Sequence, residues 1–284
     1  MGQQSARETF RAPSGSVDLE AIDPRGRPLG PRTKAAAADE LIEIGARLDQ
    51  AQEELFAEAA AGGQRRVLLL LQGMDTSGKG GTIRHVVGLV NPAGLHIASF
   101  KKPTPAELSH HFLWRIRKQV PAAGRLGVFD RSQYEDVLIV RVESLVPESV
   151  WRPRYAQIND FEAEVAEQGV TMIKCFLHIS PAEQTERLLA RLDDPTKRWK
   201  YNPSDVDARK KWFDYMAAYT EALQQCSTDV APWYVIPGDR KWYRNWVVAK
   251  LLDETFRDLA PRYPEPDYDL ATERARVLDS EPAR

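Results

Sequence analysis

Cysteine is nearly absent from this chain of 284 residues, which holds only Cys175 and Cys226. Two such distant thiols, one inside the apolar run "MIKCFLHI" (residues 172–179), exclude a disulfide-stapled scaffold and a cysteine-based metal site. They read instead as buried free thiols. Histidine is scarce as well, with five residues, and His110, His111 and His178 do not fall into a ligand spacing, so structural or surface roles are expected for them. No apolar run approaches the roughly 18–20 residues that a membrane span needs, and the opening "MGQQSARETFRAPSG" lacks the apolar centre of a secretory signal, so no membrane partner and a cytoplasmic setting are expected. Nor is there an excess of either charge. A formal net charge of −2 with 28% charged residues argues against a general nucleic-acid binder, so any basic site must be local.

What is present is an alternation of short apolar runs and longer helical patterns. The runs Val67–Gln72, His96–Phe100, Gly127–Asp130, Thr171–His178 and Trp233–Ile236 read as strands buried on both faces, and helices are expected near 79–90, 105–118, 148–168, 181–192, 206–225 and 241–258. That alternation specifies an α/β fold with one core. Ahead of it, Leu41, Ile44, Leu48, Ala51 and Leu55 form a single helical stripe suited to packing on the domain or on a second copy. Residues 1–33 mix Gly, Pro, Ser, Arg and Gln without period and read as a flexible or draped arm; residues 34–264 form the domain, and 265–284 a polar tail.

The stretch "VLLLLQGMDTSGKGGTIR" (67–84) places Gly73-x4-Gly78-Lys79 between a strand and a helix. Glycines allow backbone N–H groups to reach phosphate oxygens, the helix N-terminus adds positive potential, and Lys79 supplies a point charge. Gly73, Gly78, Gly80, Gly81, Thr82 and Arg84 complete the candidate phosphate contacts. Gly80 stands where a metal-touching Ser or Thr is usual, and Thr82 comes two residues late. Asp75 inside an anion-binding loop would repel its ligand unless a cation lay between them, which makes it a candidate Mg²⁺ ligand. Asp130, at the end of the run in "RLGVFDRSQYEDVLIVRV", belongs at the carboxyl edge of the sheet, where α/β proteins hold ligands; Arg131 next to it suits phosphoryl oxygens. Glu135 and Asp136 are either supporting groups or the first turn of a helix.

Residues 187–211 carry eight Lys or Arg against four Asp, interrupted by Pro195 and Pro203. Such a basic excursion, spanning about 190–211, reads as a lid closing over phosphates, with Arg191, Arg198 and Lys200 as charges and Trp199 and Tyr201 as stacking surfaces, against the alternative of a solvated charge run. Lys101 and Lys102 follow the second strand at the same edge. Trp114, Trp212 and Trp246 sit in helical surroundings and are expected in the core.

Taken together, "GMDTSGKGGTIR", "SFKKPT", "HHFLWR", "FDRSQYEDVLIVRV" and "DDPTKRWKYNPSDVDARKKWFDY" resemble the second family of polyphosphate kinases over about residues 40–262. The resemblance implies a P-loop kinase-like three-layer fold with a parallel central sheet, a helical lid and an N-terminal helical extension. It implies reversible phosphoryl transfer between inorganic polyphosphate and nucleoside mono- or diphosphates, with Mg²⁺ or Mn²⁺, in a homo-oligomer (dimer or tetramer). The family's catalytic roles would fall on Asp75, Lys79, Asp130 and Arg131, with Asp75 and Asp130 at the metal. The motifs are most similar to the group that accepts both AMP and ADP, although Gly80 replaces the acidic residue of that group. An ATP-dependent kinase of a nucleotide or small metabolite and a non-catalytic polyphosphate-binding module are the competing readings.

Overall fold

A computed structural model describes residues 4–13 and 15–280. Five parallel strands form one sheet: β1 (Arg66–Gln72), β2 (Leu95–Ser99), β3 (Leu126–Asp130), β4 (Val170–His178) and β5 (Trp233–Pro237), in the order β2-β3-β1-β4-β5. β1 is central because its side chains supply both layers. Leu68 and Leu70 pack into one hydrophobic cluster with the helices Arg154–Glu167 and Trp212–Cys226, whereas Val67, Leu69 and Leu71 pack into a second with Lys34–Ala60 and Lys241–Leu259. Alternate residues of a strand point to opposite faces, so only an unbroken apolar run can feed two layers at once. The α/β fold expected from the alternation, with the parallel central sheet that the resemblance implies, is therefore the observed one.

The strand expected at 96–100 departs from its description as buried. β2 is an edge strand with Ile97 about half exposed, because it has a neighbour, β3, on one side only. Several expected helices are shorter than their patterns. The segment 105–118 holds two single turns, Pro105–Leu108 and Trp114–Arg117; 148–168 divides at Pro153, whose ring and missing N–H end the turn Glu148–Trp151 before Arg154–Glu167 begins. The helix Lys79–His85 continues only as a 3₁₀ turn, and 206–225 breaks at Lys211 into Ser204–Lys210 and Trp212–Cys226.

The stripe on Lys34–Ala60 is spent within the chain: Ile44, Leu48 and Leu55 are buried against Lys241–Leu259. Arg47 clasps Asp253 with two bonds (2.8 and 3.2 Å), and Trp246 Nε1 donates to Glu40 (2.7 Å).

The segment before residue 34 differs most from expectation. Rather than a free arm, its described residues are strapped to the domain: Phe10, Ala12, Val17 and Leu19 are buried, Arg11 bridges Tyr234, and Tyr243 Oη donates to the Leu29 carbonyl (2.6 Å). Apolar residues at irregular spacing leave no periodic signature, yet each fills a groove that only the folded domain provides. Residues 1–3 and 14 of that segment, and 281–284 of the tail, lie outside the described residues. The tail carries a helix, Leu270–Asp279, capped by Asp269 and with no buried residue. Among the described residues no helix is long and apolar enough to cross a membrane.

Candidate functional site

Parallel strands bring their carboxyl ends to one edge, and the register Leu71↔Asp130 puts the end of β3 beside the loop that leaves β1. That loop reverses direction through Gly73 (φ 148°), Thr76 (φ 68°) and Gly78 (φ 107°) before Lys79 starts a helix. Only glycine adopts the first and last of these without strain. A cavity of about 780 Å³ opens above it, lined by Asp75, Thr76, Gly78–Gly81, Ser99–Lys101, Asp130, Arg131, Arg191, Trp199, Lys200, Asn202 and Asp205. A larger, more apolar groove of about 890 Å³ between residues 17–24 and the helix Trp212–Cys226 holds none of the loop's groups, which leaves the smaller cavity as the candidate site.

Within that cavity two charge pairs are already made, Arg131 with Asp75 and Arg191 with Asp205. Arg131 Nη2 donates to Asp75 Oδ1 (2.9 Å), and the Arg131 backbone is left-handed (φ 65°), its N–H bonded to the Leu71 carbonyl (3.1 Å). Burial pulls the Arg131 guanidinium down, but Glu135, Asp75, Tyr219 and Asp130 together hold it above the ordinary arginine value. Lys79 folds back, its Nζ donating to the carbonyls of Gly73 (2.7 Å) and Met74 (3.4 Å). Burial, with Arg131 adding repulsion, lowers the Lys79 pKa against the pull of Asp75, Asp130 and Glu135. An arriving phosphate would offer this lysine a charged acceptor in place of two carbonyls. Gln184 Nε2 holds the Asp75 carbonyl (3.1 Å), and Gln72 Nε2 holds Glu135 (3.0 Å), which gives Glu135 a supporting place.

The arrangement fits a divalent cation shared with phosphate. Mg²⁺ is usually held by one or two carboxylates plus substrate oxygens and water, and Asp75 and Asp130 face the same cavity. No cluster of three or more His, Cys, Asp or Glu exists among the described residues, so the remaining ligands would come from the substrate. The hydroxyl of Thr76, a residue of the cavity wall, is buried without a partner, polar capacity that a ligand can use.

Not every residue singled out by the motif reaches the cavity. Arg84 lies five residues beyond Lys79, about 140° around the helix, and is exposed on its outer side. Thr82 is buried within the domain with its hydroxyl unpartnered, and Gly73 forms the base of the loop rather than the cavity wall. Lys101 lines the cavity while Lys102 points to solvent. In the basic segment expected to form a lid, Arg191 reaches the cavity but spends its Nη1 on the Lys200 carbonyl (3.0 Å) and Asp205 (3.1 Å); Trp199 and Lys200 line the wall. Arg198 instead bonds the Leu192 carbonyl (2.8 Å), and Tyr201 caps a turn outside the cavity. The helical break around 194–203 turns successive side chains to different sides. Asp136 is buried between Arg154 (3.2 Å) and Arg115 (3.8 Å), and Arg115 in turn holds the Lys101 carbonyl (2.8 Å).

His110 stacks on Trp114 (centroids 4.0 Å apart), and His178 is tied to the Ile22 carbonyl (3.1 Å), structural roles in both cases. Trp212 and Trp246 are core residues, while Trp114 is only half-buried. Three contributors lie outside the loop motif, Arg187 alone among them falling in the basic run 187–211: Gln184, Arg187 and Arg244 all bond the loop's backbone. The only hint was charge inside an apolar helix, as in "YRNWVVAKLL".

Comparison with known proteins gives concordant matches. The family described as Polyphosphate kinase 2 matches residues 33–262. An AMP/ADP-polyphosphate phosphotransferase of Meiothermus ruber is 48% identical over 255 residues, covering 90% of this chain and 94% of that protein. An ADP-polyphosphate phosphotransferase of Rhodopseudomonas palustris is 42% identical over 231 residues, covering 77% and 78%. The crystal structure of polyphosphate kinase 2 from Arthrobacter aurescens TC1 superposes with a TM-score of 0.95 at 49% identity and covers 98% of each chain.

Proposed function

The chain belongs to the polyphosphate kinase 2 family, whose reaction is phosphoryl transfer between polyphosphate and nucleotides, and we propose that it performs this transfer with Mg²⁺ and with both AMP and ADP as acceptors. The observation carrying this reading is convergence: Asp75 and Lys79 from the loop after β1, Asp130 and Arg131 from the end of β3, and Lys200 from the lid all face one cavity. The name of the Meiothermus ruber relative, which joins AMP and ADP, supports the dual acceptor.

Little covalent work falls to the protein in such a transfer; positioning and charge neutralisation carry it. Lys79 exchanges the Gly73 carbonyl for a phosphoryl oxygen, and Arg131 follows charge as it moves from donor to acceptor. Asp75 and Asp130 would hold the Mg²⁺, which would supply charge neutralisation for phosphoryl oxygens. Arg191, Trp199 and Lys200 close the lid side and limit water. Reversal needs no different groups, because donor and acceptor ends are both phosphates.

The test is transfer from long-chain polyphosphate to AMP and to ADP, offered separately with Mg²⁺ and followed by chromatography. Product from both acceptors with no added nucleoside triphosphate is the expected result. Activity only with ATP as donor would identify an ordinary nucleotide or metabolite kinase, and binding without turnover a polyphosphate-binding module.

A further inference from the structure

Two arginines are buried behind the phosphate loop, and neither lines the cavity. Arg187 donates through Nη1 to the carbonyls of Thr76 (2.8 Å) and Ser77 (3.0 Å), and through Nη2 to those of Gly238 (2.7 Å) and Asp239 (3.2 Å). Its Nε pairs with Glu183 (2.8 Å), so its charge is compensated locally. Arg244 differs. It shares the Ser77 carbonyl through Nη1 (3.0 Å), and its Nε and Nη2 donate to Asn245 Oδ1 (3.2 and 2.8 Å), so its acceptors are all neutral. Among the described residues no carboxylate lies within ion-pair distance of it.

Arg244 also explains two of the loop's glycines, Gly78 and Gly81. A Cβ on Gly78 would stand 1.8 Å from its Nη1, and one on Gly81 3.1 Å from its Nη2. The guanidinium therefore lies against the backbone whose other side faces the cavity, separated from it by one layer of main chain. Burying a cation among neutral acceptors is costly, and burial with the nearby Arg187 pulls the Arg244 pKa down to about 9. Glu183, which pairs with Arg187, pulls the other way without reaching Arg244.

We propose that Arg244 is a positioning residue for phosphate binding: its charge, held behind Gly78 by Asn245 and the Ser77 carbonyl, is balanced by the oligophosphate chain seated on the cavity side of the loop. Arg187 fixes the same carbonyls but, being paired with Glu183, contributes shape rather than net charge. The inference rests on the phosphate-transfer reading for its ligand. It adds that affinity is set partly by a residue that never touches substrate, and that the free enzyme gives up stability to hold it.

The test compares Arg244→Met and Arg244→Lys with the unaltered chain, measuring melting temperature and, by titration calorimetry, affinity for tripolyphosphate and for ADP separately. Arg244→Met is expected to melt at or above the unaltered protein when free. Its affinity for tripolyphosphate should fall about ten- to thirtyfold, the Coulomb factor for unit charges roughly 8–12 Å apart at an effective dielectric of about 20. Arg244→Lys should recover part of it. Weakening for tripolyphosphate alone would assign the balancing charge to the donor chain, and for ADP alone to the acceptor. Unchanged affinity for both, with a lowered melting point, would overturn the proposal and leave Arg244 a structural residue. Should Arg244→Met not fold, Glu183→Gln removes the compensating carboxylate instead; tighter tripolyphosphate binding with a lower melting point is expected, and unchanged binding would equally overturn it. A parallel transfer assay on the unaltered protein keeps the two readings apart: absent transfer with Arg244-dependent tripolyphosphate binding would sink the proposed function and spare this inference.

Discussion

Replacing Lys174 by Met should cost this protein about 3–5 kcal/mol of stability, the usual penalty for removing one partner of a buried ion pair. Lys174 stands in the middle of β4 with its side chain fully buried, as is that of its partner Glu162. Its three ammonium protons have three acceptors: Glu162 Oε2 (2.5 Å), Tyr134 Oη (2.8 Å) and the Cys226 carbonyl (2.6 Å). Glu162 Oε1 also accepts from Tyr134 Oη and Gln133 Nε2, both at 2.8 Å. Methionine fills the stem's volume but leaves Glu162 a buried anion with neutral donors only. With an unfolding entropy of about 2.1 cal/mol/K per residue, a chain of 284 residues would lose about 5–8 °C in melting temperature. Urea unfolding and calorimetry at pH 7 would measure this directly. Glu162→Gln added to Lys174→Met removes the lone charge and keeps an acceptor for Tyr134, so the double variant should recover about half of the loss. The reasoning is refuted if the single variant lies within about 1 kcal/mol of the unaltered protein, or if the double is no better than the single. The network matters for transfer as well, because Gln133 and Tyr134 anchor the turn that leaves Asp130 and Arg131 at the cavity.

Asp130→Asn should lower kcat by at least about 100-fold, comparable to removal of one electrostatic contact at a reacting centre. Its melting temperature should stay within a few degrees, because Asp130 is only half-buried; near-normal kcat in the folded variant would remove Asp130 from the site. Burial raises the Asp136 carboxyl from 3.8 to about 6, against the pull of Arg154 and Arg115. A raised acid stabilises the fold below its unfolded pKa, and that contribution is lost as pH rises through the folded value. The stability of the unaltered protein relative to Asp136→Asn should therefore fall between about pH 4 and pH 6. A flat difference across that window in denaturant melts would contradict this. Cys175 and Cys226 are buried, and burial pushes the Cys226 thiol up to about 12 and that of Cys175 higher still. An aromatic disulfide reagent at pH 8 should label neither thiol in the native chain and both in urea, and fast native labelling would contradict the buried placement.

Local information was enough for the parts of this protein whose physics is local. The run 67–72 reads as a strand buried on both faces because every residue but the last is apolar, and the glycines of Gly73-x4-Gly78-Lys79 mark a tight turn whose left-handed angles are seen at 73 and 78. Asp75 and Lys79 stood out within the loop motif and Asp130 with Arg131 at the end of a run, and the fold brings all four to one cavity. Tertiary structure alone decided the rest. Whether Lys101 or Lys102, Trp199 or Tyr201 faces the cavity depends on side-chain direction after a strand end or a broken helix, where no period constrains it. The strap formed by residues 10–13 and 15–29 depends on grooves made by β5 and the helix Lys241–Leu259, more than 200 residues away. Arg187, Arg244 and Lys174 are the clearest cases. A charged residue in a sequence reads as surface, and only folding brings together the carbonyls and carboxylate that let it be buried.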